Sequence, residues 1–369
     1  MFISTQHSHT IASGLYKQPH LRTGYESVIG KRTSKMFSTA AEEDGEVTAI
    51  AEKGLVVTYK SGKQSGIELG RIYGKAEGTV YPHDIVSPYS VGNKFKKDDI
   101  IAYNTKFFEP DFIDAKNIVM KVNGVARVAF RETNGEHEDS CTISEALSGK
   151  ATTEVTKIKS YIVDFKQNLV DVKSVGSLVQ PKDILMIIAD EITSVGGEFS
   201  DDALLTLRRL SNSAPKAGLM AKIEKLEIYY HGDKRDMSAT LKKLADKSDQ
   251  DLARSTKETN RPLVNGRVTD DYRVKGTALE LDKAEVRFYL TSQGTTGVGD
   301  KVVFGHQMKS TVAIVNQSKI WNESGEEIDA TFSYGSICRR GALSPALMGT
   351  TITLLDAIGK KAAKLYFGE

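Results

Sequence analysis

Cysteine is nearly missing from this 369-residue chain, which has two, Cys141 and Cys338. Neither stands at a paired spacing that would build a zinc site or a redox motif, and so low a thiol content fits a reducing compartment. The seven histidines include His7 and His9, but no Cys, Asp or Glu stands at ligand spacing beside them, which argues against a metal cluster there. An excess of either charge is lacking too. The chain carries 50 Lys and Arg against 48 Asp and Glu, a net charge of +2, so any nucleic-acid contact must come from a local patch. No stretch approaches the roughly 18 consecutive apolar residues of a membrane span. The opening "MFISTQHSHTIASGLYK" also lacks the charged start and apolar run of a signal peptide. The expectation is a soluble, intracellular protein with no membrane partner. Its length allows about two or three domains.

What is present is mainly strand patterning. Residues 1–45 are polar and weakly periodic and read as an extended arm packing on partner subunits. From Glu46, "EVTAIAEKGLVVTYKSGKQSGIEL" alternates apolar and polar residues between glycine turns, the period-2 signature of half-buried hairpins. "NIVMKVNGVARVAF" (117–130) and "AEVRFYL" (284–290) read the same way. Helical spacing is confined to "SDDALLTLRRL", with Ser200 as N-cap and acids in its first turn, to "DMSATLKKLADKSDQDLARS", and to the C-terminal "TLLDAIGKKAAKLYF". A weak echo links "FKKDDIIAY", "QPKDILMII" and "VGDKVVF", each a polar turn with Asp before an apolar run; turn chemistry alone accounts for it.

Two local motifs carry potential chemistry. "GVGDKVVFGHQMKS" (297–310) sets Lys301 and Lys309 eight residues apart across a glycine-broken stretch. Such a pair is either a solvated hairpin tip or a grip on neighbouring phosphates, for which a mobile ammonium is well suited. "ARVAFRETNGEHEDSCTISEAL" (126–147) places the adjacent acids Glu138 and Asp139 between a glycine turn and a strand. By itself that is a solvated turn.

The order of these pieces resembles the β subunit of multisubunit DNA-directed RNA polymerases. In that family an Asn-Gly turn, a Glu-Asp pair and an Ile-Ser-Glu run are followed, after a flap insertion, by a Gly-Asp-Lys motif with a second lysine eight residues on. "SVGNKFKKDDIIAY" is similar to the segment ahead of the acids, and "QPKDILMII" to the start of the flap. "GEEIDATFSYGSICRRGALSPALMG" is similar to the segment ending in Pro-Ser-Arg, with Arg340 at the arginine and Arg339 beside it. The family's Gly-Arg-His-Gly-Asn-Lys-Gly becomes Phe-Gly-His-Gln-Met-Lys-Ser here, which keeps His306 and Lys309 but loses the flanking glycines. The chain resembles the C-terminal portion of a split β subunit, as in the polymerases of very large bacteriophages.

That resemblance implies a β-rich α+β fold: a double-psi β-barrel type core, a barrel-sandwich hybrid-like region and an inserted flap-like region. The implied units are an arm (1–45), a hybrid-like region (46–116), a core (117–150 with 276–335), a flap-like insertion (151–275) and a C-terminal helical segment (336–369). It also implies a nucleotidyltransferase subunit active only in an assembly, in the cytoplasm of an infected bacterium or in a virus particle. The implied partners are an N-terminal β-like chain, β′-like chains, template DNA, RNA transcript, nucleoside triphosphates and a promoter-specificity factor at the flap. Glu138 and Asp139 would face the Mg²⁺ that travels with the nucleotide, mostly through water, while the principal Mg²⁺ ligands reside on a β′-like chain. Lys301 and Lys309 would hold phosphates at the RNA 3′ end, Arg340 would contact the incoming triphosphate, and His306 would shape the loop. The competing expectation is a noncatalytic β-barrel module that grips nucleic acid or a polymerase; a third is a structural or assembly protein with a coincidental Gly-Asp-Lys turn.

Overall fold

The computed structural model describes residues 2–5, 13–18, 24–76, 78–121, 124–131, 136, 138–189, 215–305, 308–340 and 344–368. The helix expected at 200–210 and His306 lie outside these residues. Strands dominate and join into several sheets, mostly antiparallel, as the alternating pattern predicts.

The largest sheet has eight strands. Its centre is formed by Thr153–Asp164, Lys283–Gly294 and Ala221–His231, paired antiparallel, with Thr153 opposite Gly294 and Asp164 opposite Lys283. Because side chains alternate along a strand, Ala284, Val286, Phe288 and Leu290 point to one side, where they pack with Ile223 and Ile228 in the main core. Their neighbours Glu285, Arg287 and Tyr289 point to the other side. There the Tyr272 hydroxyl donates to Glu285 (2.5 Å) and the Tyr289 hydroxyl to Glu227 (2.7 Å), while Arg287 stacks on Tyr229. Two acids can be buried on this face because each has hydrogen-bonded partners.

Helix α1, Ala239–Glu258, covers the core side through Leu241 and Ala245. Its N-cap, Ser238, accepts from the Leu241 amide and also donates to Gln167 O. The far end of α1 docks on a four-stranded sheet formed by Gly45–Ile50, Gly54–Tyr59, Gln64–Glu68 and Lys94–Phe95. Glycine permits the approach: a Cβ on Gly66 would lie 1.7 Å from Thr259 O, and one on Gly54 2.3 Å from Glu258 O. The Lys53 amide donates to the Glu258 carboxylate (2.7 Å), and Arg261 pairs with Glu68 (3.2 Å), closing the joint.

A seven-stranded sheet holds the sequence motifs. In chain order its strands are β1 (Phe2–Thr5), β2 (Gly124–Val125), β3 (Val128–Phe130), β4 (Ser140–Ser144), β5 (Lys301–Phe304), β6 (Met308–Asn316) and β7 (Ala330–Phe332). Their spatial order is β2-β1-β5-β6-β4-β7-β3. β4 runs parallel to β6 and antiparallel to β7, while β7 runs parallel to β3. The connection from β3 to β4 therefore steps across β7, and that from β6 to β7 steps across β4. Cys141, Ile143, Phe304, Met308, Val312 and Phe332 pack beneath this arrangement.

Two placements differ from the sequence reading. Residues 276–335 divide between sheets: Lys283–Gly294 pairs with 153–164 and 221–231 in the larger sheet, while 301–332 join 124–144. The N-terminal segment, read as an arm for partner chains, adds β1 between β5 and β2 of this same chain. β1 covers the edge that β5 would otherwise present. At the other end, helices α2 (Tyr334–Arg340) and α3 (Ser344–Phe367) follow β7. Leu347, Leu354, Ile358 and Leu365 of α3 are exposed, and Lys360 ties the helix to Glu326 (3.0 Å). Among the described residues no helix is long and apolar enough to cross a membrane.

Candidate functional site

The Gly-Asp-Lys stretch builds a turn first. Asp300 accepts from the Gly297 amide (2.8 Å), and Gly299 adopts φ +91°, a conformation that favours glycine. The Gly299 amide donates to Val312 O (2.8 Å) and the Val312 amide to Asp300 O (2.9 Å), fastening the turn to β6. Asp300 is thus a turn residue, and its task is to launch β5 at Lys301.

β5 and β6 form a hairpin in which Lys301 is opposite Thr311 and Val303 opposite Lys309. Val302, Phe304, Met308 and Ser310 are buried, so the alternate positions, including both lysines, lie on the outer face. Lys301 and Lys309 are diagonal neighbours on that face, roughly 7–8 Å apart at the backbone. The hairpin tip closes at Gly305, with φ +61°. Met348 Cε lies 3.7 Å from where a Cβ on Gly305 would sit, so the start of α3 rests against the tip. Arg340 ends α2, in the chain segment between β7 and that contact.

The acidic pair meets the same strands. Glu138 and Asp139 occupy an exposed turn at the start of β4, and Glu138 has φ +49°, unusual for a residue other than glycine. The Thr311 amide donates to Asp139 O (3.2 Å), and Ser140 pairs beside Thr311, the residue opposite Lys301. Two strand spacings, about 10 Å, thus separate the acidic turn from Lys301. Residues more than 160 positions apart in the chain are thus brought to neighbouring strands of one sheet. Two adjacent, exposed carboxylates suit a hydrated Mg²⁺ held through water, because that ion retains much of its hydration; they do not make a cage. Among the described residues no group of three or more His, Cys, Asp or Glu is placed to hold a metal ion.

Below the turn lie residues that the sequence did not single out. Glu136 is buried, and its Oε1 accepts from the Thr331 hydroxyl of β7 (2.5 Å). Cys141 is buried beside it; burial chiefly, with the Glu136 charge adding to it, pushes the thiol up to about 11, while a contact from Ser310 works the other way. That thiol is a packing group, not a nucleophile. In sequence Glu136 is one more acid in "GEHED", and no periodicity marks it as buried.

A second charge cluster lies across strands of the eight-stranded sheet. Arg71 grips Asp84 (2.7 and 3.0 Å) and reaches Glu154 (3.3 Å) and Glu224 (3.5 Å), while Lys106 bonds Glu154. With Lys222 on Glu224 (3.3 Å), three cations meet three acids in this cluster, which ties four strands together. Neither the protein-family models nor the curated proteins compared with the sequence match it.

Proposed function

We propose that this chain is a subunit of a DNA-dependent RNA polymerase, the C-terminal portion of a split β subunit that contributes phosphate- and nucleotide-contacting residues to a site shared with β′-like chains. The observation that carries the reading is the strand pairing that brings the lysine pair and the acidic turn, more than 160 residues apart in the chain, within two strands of each other. The crossed connections of β3–β4 and β6–β7 favour a double-psi type core, since each connection spans a strand of the other unit. The exposed apolar residues of α3 fit a helix that a β′-like chain covers in the assembly.

In this reading Lys301 and Lys309 hold successive phosphates near the RNA 3′ end, and so fix the attacking oxygen in line. Arg340 meets the triphosphate, and the Glu138–Asp139 turn orients the hydration shell of the nucleotide's metal. Bound Mg²⁺ offsets charge on the phosphoryl oxygens. For His306 the resemblance implies a loop-shaping role. Exposure of both lysines suits a polymer substrate, which approaches a surface.

The test is mass spectrometry of proteins that co-purify with the tagged chain from its host cells. Recovery of an N-terminal β-like chain and β′-like chains with an Asp-rich metal motif is the expected result. A monomer without partners at cellular concentration would sink the polymerase reading and leave a noncatalytic β module.

A further inference from the structure

Glu136 is a poor choice for stability alone. A buried carboxylate is costly unless both oxygens are satisfied, and an apolar side chain of similar volume is frequently as good or better. Here Oε1 accepts from Thr331, whereas Oε2 is buried and meets no donor among the described residues. An orphaned polar atom in a folded core calls for a reason beyond packing.

The reason lies in what surrounds Glu136. Its side chain fastens to β7 through Thr331, and three residues later the backbone of Asp139 fastens to β6 through Thr311. β4 lies between those strands, so the turn at its start is pinned on both flanks. Between the pins Glu138 holds a left-handed backbone, φ +49°.

The geometry points to Glu136 as a positioning residue, which locks the Glu138–Asp139 turn against the lysine hairpin by bonding Thr331; the role rests on the function proposed for that turn. Glu136 touches no substrate and acts through Asp139. The carboxyl carbon chain sets the reach, and the acceptor oxygen sets the lock.

Three variants test it: Glu136→Leu, which removes the acceptor; Glu136→Gln, which keeps one; and Thr331→Val, which removes the donor from the other side. In the isolated chain, amide exchange at Thr311 reports the second pin directly. The Leu variant is expected to keep or raise the melting temperature and the Val variant, which strips the buried carboxylate of its donor, to lower it, while Thr311 exchange accelerates in both; Gln stays close to wild type. In the reconstituted polymerase, the Mg²⁺ concentration for half-maximal RNA synthesis rises roughly ten- to hundredfold in the Leu and Val variants, as for other groups that orient metal-facing carboxylates. Unchanged Thr311 exchange in a folded Leu variant overturns the lock. Faster exchange with an unchanged Mg²⁺ requirement overturns its functional role. Asp139→Ala, run alongside, locates the fault: lost synthesis there indicts the positioning role alone, whereas full synthesis there overturns the proposed function and the positioning role with it.

Discussion

Lys301 and Lys309 leave the outer face of a hairpin whose inner face is already packed, so their ammonium groups contribute little to holding the strands together. Lys301→Ala is expected to change stability by no more than about 0.5 kcal/mol. On the proposed function, the same substitution, and separately Asp139→Ala, is expected to lower RNA synthesis by the assembly roughly 10²-fold or more, the scale of losing a preorganised charge contact. Single-turnover extension assays with matched amounts of assembly check this. His83 offers a prediction of another kind. It is buried, and the Asn104 amide nitrogen sits 2.8 Å from its Nδ1, while Asn104 Oδ1 is occupied by the Lys106 amide. Nδ1 therefore accepts, and the ring is neutral. Burial first, then the charge of Lys106, brings its pKa from 6.5 down to about 4. Because the folded value is the lower one, the unfolded chain binds the proton more readily. The stabilisation is complete above pH 6.5 and drains away as pH falls towards 4, amounting to about 3 kcal/mol. Urea unfolding of wild type and His83→Gln at pH 7 and pH 4 measures it: the gap between the two pH values should shrink in the variant.

Among the elements, the joint between α1 and the four-stranded sheet depends on absent side chains. Gly66→Ala places a methyl group on Thr259 O and is expected to cost about 1–3 kcal/mol by overpacking, with protease cleavage appearing after Thr259. Ser238→Ala removes the α1 cap and is expected to cost about 1 kcal/mol. Both are read by thermal unfolding. These elements also mark how far the sequence could be read. The alternation in "AEVRFYL" and "EVTAIAEKGLVVTY" gives the strands directly, because half-buried sheets demand it. The periodicity of "DMSATLKKLADKSDQDLARS" gives α1, with its start at Ser238 set by the cap. Partners were another matter. Period-2 patterning states which face of Lys283–Gly294 is apolar but not which strands flank it, and those lie at 153–164 and 221–231. The proximity of the acidic turn to Lys301 is likewise created by β4 pairing with β6, and nothing local in either motif encodes it. Glu136 escaped notice because its burial is set by Thr331, far along the chain.

For the whole molecule, α3 supplies a clear expectation. Leu354→Arg or Ile358→Arg alters a side chain that the rest of this chain leaves exposed, so the isolated protein should melt as wild type does. On the proposed function, recovery of β′-like chains in a pull-down should fall, since a buried apolar contact would become a desolvated charge. The crossed sheet has a further consequence, in time instead of space. Arg127 bonds Asp329 across 202 residues, and β4 needs β6 on one flank and β7 on the other. On the ribosome, β3 and β4 emerge long before their neighbours exist, so the first-made half of this sheet waits with its edges open while the larger sheet assembles. Such non-local pairing folds slowly. The lysine hairpin, made late, is both the proposed phosphate grip and the piece that lets the sheet close, so a nascent chain stalled before Lys301 has neither.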